Sequence, residues 1–252
     1  MIDNLQGAGP YRGFWSVTAH PVVLETAAAL GPDFVCIDLQ HGTEWSQLDA
    51  NRFTALAHYH VPGLVRVPAN DPAAIGRALD LGAAGVVVPL VNSAEDARAA
   101  VAACLHAPGG TRSFGPQSPR IELGDRNATC IVQIETAEAV SEADEIAAVA
   151  GVDCLFVGPI DLGLSIGGAS AYDLLSVFDG SHTTAAVMQE ALARVVRAVE
   201  ASGKLAGIHC SSGAAAVAAE AHGFKLVAIA TDVSAMRRDL ALQLAAVRDG
   251  TP

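Results

Sequence analysis

The feature that most constrains this chain is a cycle that repeats along its length: a short apolar run, a loop, then an amphipathic stretch. The runs are Gly13–Val17, Phe34–Leu39, Gly63–Val67, Gly85–Val88, Cys130–Glu135, Cys154–Val157, Leu205–Ile208 and Leu226–Ala230. They are nearly unbroken in apolar character, which suits parallel strands covered on both faces; a half-exposed antiparallel strand would alternate. Parallel neighbours need a crossover, and the amphipathic stretches supply it. Eight strands with intervening helices predict a single closed (β/α)8 barrel over residues 1–252. A doubly wound open sheet of the same elements is the alternative.

Local signals support the helical stretches. Val187, Met188, Ala191, Leu192, Val195, Val196 and Val199 share one helix face, with Glu190, Arg194, Arg197 and Glu200 opposite and Gly203 as the terminating residue. Asp71-Pro72 has the chemistry of a helix start, and Ser93 with Asp96 resembles a capping box. Two connections are long, Ala107–Asn127 and Gly167–His182. Loops of that length are often functional or disordered.

Composition narrows the function. A formal net charge of −12 argues against a nucleic-acid or anionic-membrane partner. Cys36, Cys104, Cys130, Cys154 and Cys210 are scattered and odd in number, so they read as buried thiols rather than a disulfide or zinc framework. No basic region followed by an apolar stretch opens the chain, and its apolar runs are too short to cross a bilayer; a cytoplasmic protein is expected. Neither GxGxxG nor GxxxxGK[ST] occurs.

In a parallel barrel, reactive groups lie where strands end. The second strand ends in Asp38-Leu39-Gln40-His41-Gly42 and the third in Arg66-Val67-Pro68. The fifth ends in Gln133-Ile134-Glu135-Thr136 and the sixth in Gly158-Pro159-Ile160-Asp161. Glu135 and Asp161, on consecutive strand ends, offer oxygen-only ligation suited to Mg²⁺ or Mn²⁺. Either one alone reads equally well as a carboxylate at a helix start. His41 can move a proton, with Asp38 to orient it, or can be an ordinary surface histidine. His58 and His60 read as structural. Arg66, among apolar residues, needs an anionic partner that the mouth can supply. Only two lysines are present, Lys204 and Lys225, both ahead of strands, so a Schiff-base lysine is not expected.

These residues carry a resemblance. FVCIDLQHG, VRVPANDP, ALDLGAAGVVVPLVNSAEDA, GTRSFGP, VQIET, VGPIDLGLSIG and GKLAG follow one another in the order found in the HpcH/HpaI aldolases, from Gly13 to Met236. That family comprises metal-dependent class II pyruvate aldolases, such as those acting on 4-hydroxy-2-oxoheptanedioate and 2-keto-3-deoxyglucarate. The resemblance implies a barrel of the phosphoenolpyruvate/pyruvate-binding type, with Glu135 and Asp161 holding Mg²⁺ or Mn²⁺, Co²⁺ being a third candidate. It implies His41 as acid/base, Arg66 on the pyruvyl oxygen, and Asp38 with Asp80 of a neighbouring subunit tuning His41. Substrate contacts are implied at Gln133, Gly158, Pro159, Ile160, Asp161 and His209. Trp15 either lines the pocket or is a core aromatic. A homo-oligomer is implied, a trimer or a hexamer built from trimers, with the C-terminal helix as a candidate for exchange between subunits.

The expected reaction is reversible aldol cleavage of a 4-hydroxy-2-oxo acid to pyruvate, or a close analogue, and an aldehyde. The alternatives are an oxaloacetate-using carboligase or decarboxylase, including a citrate-synthase-like enzyme, and a keto-acid-binding barrel without turnover. Three departures from the family pattern stand out. Gln40 takes the place of a frequent Glu, His209 stands where the family is often apolar, and the segment between GTRSFGP and VQIET is short.

Overall fold

The computed structural model describes residues 9–43, 49–115, 128–171 and 173–249. Its strands are β1 (Tyr11–Ser16), β2 (Phe34–Asp38), β3 (Gly63–Arg66), β4 (Gly85–Val88), β5 (Thr129–Ile134), β6 (Cys154–Val157), β7 (Leu205–Cys210) and β8 (Leu226–Thr231). All pair in parallel in sequence order, and β8 closes on β1. This is the (β/α)8 barrel rather than the open sheet.

The helices are α1 (Pro21–Ala28), α2 (Ala50–His58), α3 (Pro72–Asp80), α4 (Ala94–Cys104), α5 (Ala137–Ser141) and α6 (Ala143–Ala147). After β6 come α7 (Pro159–Gly167), α8 (Leu174–Phe178), α9 (Ala185–Ser202), α10 (Gly213–Ala221) and α11 (Asp232–Asp249). Among the described residues, no helix is long and apolar enough to cross a membrane.

Two apolar clusters divide the core. Phe34, Cys36, Leu64, Val87, Ile131 and Phe156 fill the barrel interior, with Trp15 among them. The alternate residues of the same strands, such as Val35, Ile37, Val65, Val86, Val132 and Leu155, pack outward against the helices. Both sets are apolar, which is why the runs do not alternate. All five cysteines are buried and free.

The capping signals take effect as chemistry predicts. Asp71 accepts from the Ala74 N–H ahead of Pro72. Ser93 accepts from the Asp96 N–H, while Asp96 accepts from Ser93 Oγ and the Asn92 N–H. Gly203 ends α9 with a φ of +65°, a left-handed conformation that glycine adopts without steric cost. The apolar face of α9 differs at one residue: Val187 is 53% exposed, and Ala185 and Ala198 join the buried stripe instead. Arg194 is not free in solvent but donates to the Val140 and Ser141 carbonyls. The Gly167–His182 connection is not one loop, because α8 stands within it. Most of Ala107–Asn127, from residue 116 onward, lies outside the described residues.

Candidate active site

A cavity of about 310 Å³ opens at the carboxyl ends of the strands. Every strand except β4 brings a residue to its wall: Trp15 and Val17, Asp38 and His41, Arg66, Gln133 and Glu135, Gly158 to Asp161, His209 and Thr231. Nearly all the residues expected from the strand ends therefore meet in one place. Asp80 does not. It is the last residue of α3, at the end of the barrel where strands begin, and it accepts from Arg112 Nη2 at 2.7 Å.

Arg66 and Asp38 form the most closely knit part of the site. Arg66 Nε donates to Asp38 Oδ1 at 2.9 Å, and Nη2 donates to Oδ2, giving a buried two-pronged pair. Burial alone would push the Asp38 carboxyl up; Arg66, the His41 backbone N–H and the Trp15 indole outweigh it and hold the group below its ordinary value. The fork leaves three Arg66 N–H bonds for other acceptors. Trp15 meets both expectations for it: it is buried in the barrel interior, yet it lines the cavity beneath Arg66, whose Cζ lies 5.2 Å from its ring centre.

Asp38 reaches His41 through the backbone. Its Oδ1 accepts the Gln40 and His41 N–H groups at 3.0 and 3.1 Å, which folds the turn over the strand end. Gly42 makes that turn possible, since a Cβ there would lie 2.0 Å from the Asp38 carbonyl oxygen.

Across the cavity, Glu135 is 2% exposed and accepts the Leu90 N–H at 3.1 Å. Leu90 has a φ of +53°, unusual for a residue with a side chain, at the point where its N–H meets the carboxylate. The Glu135 carboxyl is pushed up to about 7, mainly by burial; Leu90 and Arg66 pull against this, and Asp161 and Asp38 add to it. Gly158 lies against the same carboxylate: a Cβ there would fall 2.5 Å from Glu135 Oε1 and 3.1 Å from Gln133 Nε2. Asp161 sits in the first turn of α7, ahead of the helix's first internal bond from Leu162 N to the Gly158 carbonyl. The Ile160 and Asp161 N–H groups thus precede the helical ladder, the arrangement that favours an anion.

The mouth fits a hard divalent cation. Glu135 and Asp161 repel each other, and the buried Gln133 Oε1 has no hydrogen-bond partner among the described residues. The set is oxygen-only, as Mg²⁺ and Mn²⁺ prefer. Among the described residues no cluster of three His, Cys, Asp or Glu forms, so water and substrate would complete the shell. His209, on β7, is held neutral: burial and then Arg66 lower it to about 4. Its ring stands edge-on to Trp15, and Nε2 is buried with no partner among the described residues.

Four participants escaped the strand-end reading. Val17 and Thr231 follow or end strands, so their position was a usable signal. Asp232 directly follows β8 and was equally accessible. Leu90 acts through its backbone, for which its side chain gives no sign.

Comparison with known proteins agrees with this fold. Residues 12–238 match the model of the family described as HpcH/HpaI aldolase/citrate lyase. A hydroxypyruvate/pyruvate aldolase of Rhizorhabdus wittichii is 35% identical over 233 residues, 89% of each chain. A 4-hydroxy-2-oxovalerate aldolase of Novosphingobium aromaticivorans is 40% identical over 216 residues, 79% of this chain and 76% of that one. The crystal structure of a family protein from Burkholderia cenocepacia superposes with a TM-score of 0.84 at 33% identity, covering 97% of both chains. Fold, mouth and relatives together define a barrel enzyme of the aldolase class, a carbon–carbon lyase. The chain belongs to the HpcH/HpaI aldolase/citrate lyase family.

Proposed function

We propose that the chain is a divalent-metal-dependent pyruvate aldolase, cleaving a 4-hydroxy-2-oxo acid reversibly to pyruvate, or a close analogue, and an aldehyde. The observation that carries this reading is the opposition of two carboxylates, Glu135 and Asp161, to the Arg66–Asp38 pair across one small cavity. Glu135 and Asp161 would hold Mg²⁺ or Mn²⁺, which when bound supplies Lewis-acid polarisation of the 2-oxo acid.

The chain's own groups do the rest. Ile160 and Asp161 N–H groups receive the substrate carboxylate at the start of α7. Arg66 directs its remaining donors at the 2-oxo oxygen and stabilises charge as it grows there during cleavage. His41 takes the C4 hydroxyl proton, directly or through water, as the C3–C4 bond breaks and the electrons settle in the enolate. Protonation at C3 releases pyruvate. Trp15 and His209 close the floor against water.

The test follows exchange of pyruvate C3 protons with deuterated solvent by NMR. Exchange is expected with Mg²⁺ or Mn²⁺ and should stop with EDTA; exchange in fully stripped protein would sink the reading. Because a proton competes with the cation for Glu135, the apparent Mg²⁺ affinity should hold above about pH 7 and fall about tenfold per unit below it. Oxaloacetate, offered alone and with aldehydes, separates an aldolase from a carboligase or decarboxylase by its products.

The proposal includes a homo-oligomer in which α11 crosses to a second copy. None of the residues of α11 is buried, and Met236, Leu240, Leu244 and Val247 are exposed along it. A groove of about 700 Å³ beside β1 and α1, lined by Phe14, Val22, Val23, Leu30 and Ile229, offers the matching apolar surface. An oligomer would also allow Asp80 to approach a neighbour's mouth. Light scattering is expected to show an oligomer for the full chain and smaller species after truncation beyond Met236. A monomeric full chain at micromolar concentration refutes the exchange.

A further inference from the structure

We infer that Asp232 is a positioning residue for His41, acting through the loop that follows β1. The inference rests on the reading of His41 as the proton-transfer group. Asp232 opens α11 directly after β8 and does not line the cavity. Its carboxylate nevertheless gathers four donors from the neighbouring strand end: Ser16 Oγ at 2.8 Å, Val17 N at 3.0 Å, Thr18 N at 3.0 Å and Thr18 Oγ1 at 2.6 Å. A neutral side chain of similar size cannot accept from all four.

Val17 passes this hold onward. Its N–H is fixed by Asp232, and its carbonyl accepts the Thr43 N–H at 2.9 Å. Thr43 closes the turn that Asp38 opens by accepting the Gln40 and His41 N–H groups. Between them, a Cβ at Gly42 would lie 2.0 Å from the Asp38 carbonyl oxygen and 2.8 Å from that of Val17. The His41 backbone is therefore wedged between two strand ends. Asp38 sets one side of the wedge, and Asp232 sets the other through Val17.

The proposed cation ligands and carboxylate-binding N–H groups follow β5 and β6, outside this chain of contacts, and Arg66, which shares Asp38 with it, is fixed by its own two-pronged pair on the side away from Asp232. Loss of Asp232 should therefore impair proton transfer more than binding. In Asp232→Ala, kcat for aldol cleavage is expected to fall about tenfold or more, with KM and the Mg²⁺ dependence within twofold of wild type. Asp232→Asn should recover part of the loss, because its remaining oxygen can still accept from Val17. The His41 ring signals in a ¹H–¹³C spectrum should shift in Asp232→Ala. A stability control is Arg12→Ala, which breaks the Arg12–Glu220 pair at the opposite end of β1 and should lower Tm while leaving kcat and the His41 signals unchanged.

Unmoved His41 signals in folded Asp232→Ala overturn the inference whatever the substrate. So does a KM that rises in step with the fall in kcat. Should Asp232→Ala not fold, Thr18→Val removes one donor and is expected to shift the same signals less, and no shift there also overturns it. Failure of the aldolase reading looks different: wild-type protein without pyruvate exchange, but with His41 signals still dependent on Asp232.

Discussion

Asp161→Asn is expected to reduce metal-dependent exchange of the pyruvate C3 protons by about 10²–10³-fold while leaving the barrel folded. The substitution is nearly isosteric, and among the described residues Asp161 makes no ion pair; it stands in the first turn of α7. Its charge there stabilises the helix start by only about 0.3–1 kcal/mol. Part of that is offset, because Asp161 also presses the buried Glu135 towards protonation. What the variant lacks is one of the two anionic oxygens proposed to hold the cation. NMR of deuterium incorporation measures the effect, and a melting curve checks the fold. Exchange at the wild-type rate in a folded variant would remove Asp161 from the metal site.

Arg66→Met is expected to damage both stability and activity. The guanidinium is the partner of Asp38, which is 1% exposed. Removing it leaves a buried carboxylate uncompensated, at a cost of about 3–5 kcal/mol, or a fall in Tm of roughly 10 °C for a chain of this size. Cleavage should drop by about 10²–10³-fold, since the donors proposed to meet the developing enolate oxygen are gone. The double variant Arg66→Met with Asp38→Asn removes the stranded charge, so it should melt above the single variant while remaining inactive. Equal melting of the two would show that the pair is not what Arg66 contributes to stability.

The barrel was legible because its strands are buried on both faces, so each appears as an uninterrupted apolar run. That same property hides which residues face inward. Cys36 and Ile37 are equally apolar, yet one fills the interior and the other meets the helices. The mouth could be read because charged residues interrupt apolar runs only at the strand ends. Arg66 announced a need for a partner, and Asp38 met it through a register that pairs the two residues across β2 and β3. Contacts made by backbone were not legible: nothing in a leucine indicates that Leu90 N–H will hold Glu135. Val187 was misplaced because helical spacing fixes a direction but not how far the neighbouring elements reach around α9. Asp80 has a local partner, Arg112, so any second role for it depends on another copy.

The contact between Gly158 and Glu135 restricts how this enzyme can diversify. At the mouth, Ile160 lines the cavity yet is partly exposed, so its side chain can be exchanged to reshape the entrance. At Gly158 even a methyl group would displace the buried carboxylate. A laboratory library aimed at new substrates therefore has room around the entrance, but at this position every codon change that adds a side chain works against the catalytic centre before it can alter selectivity.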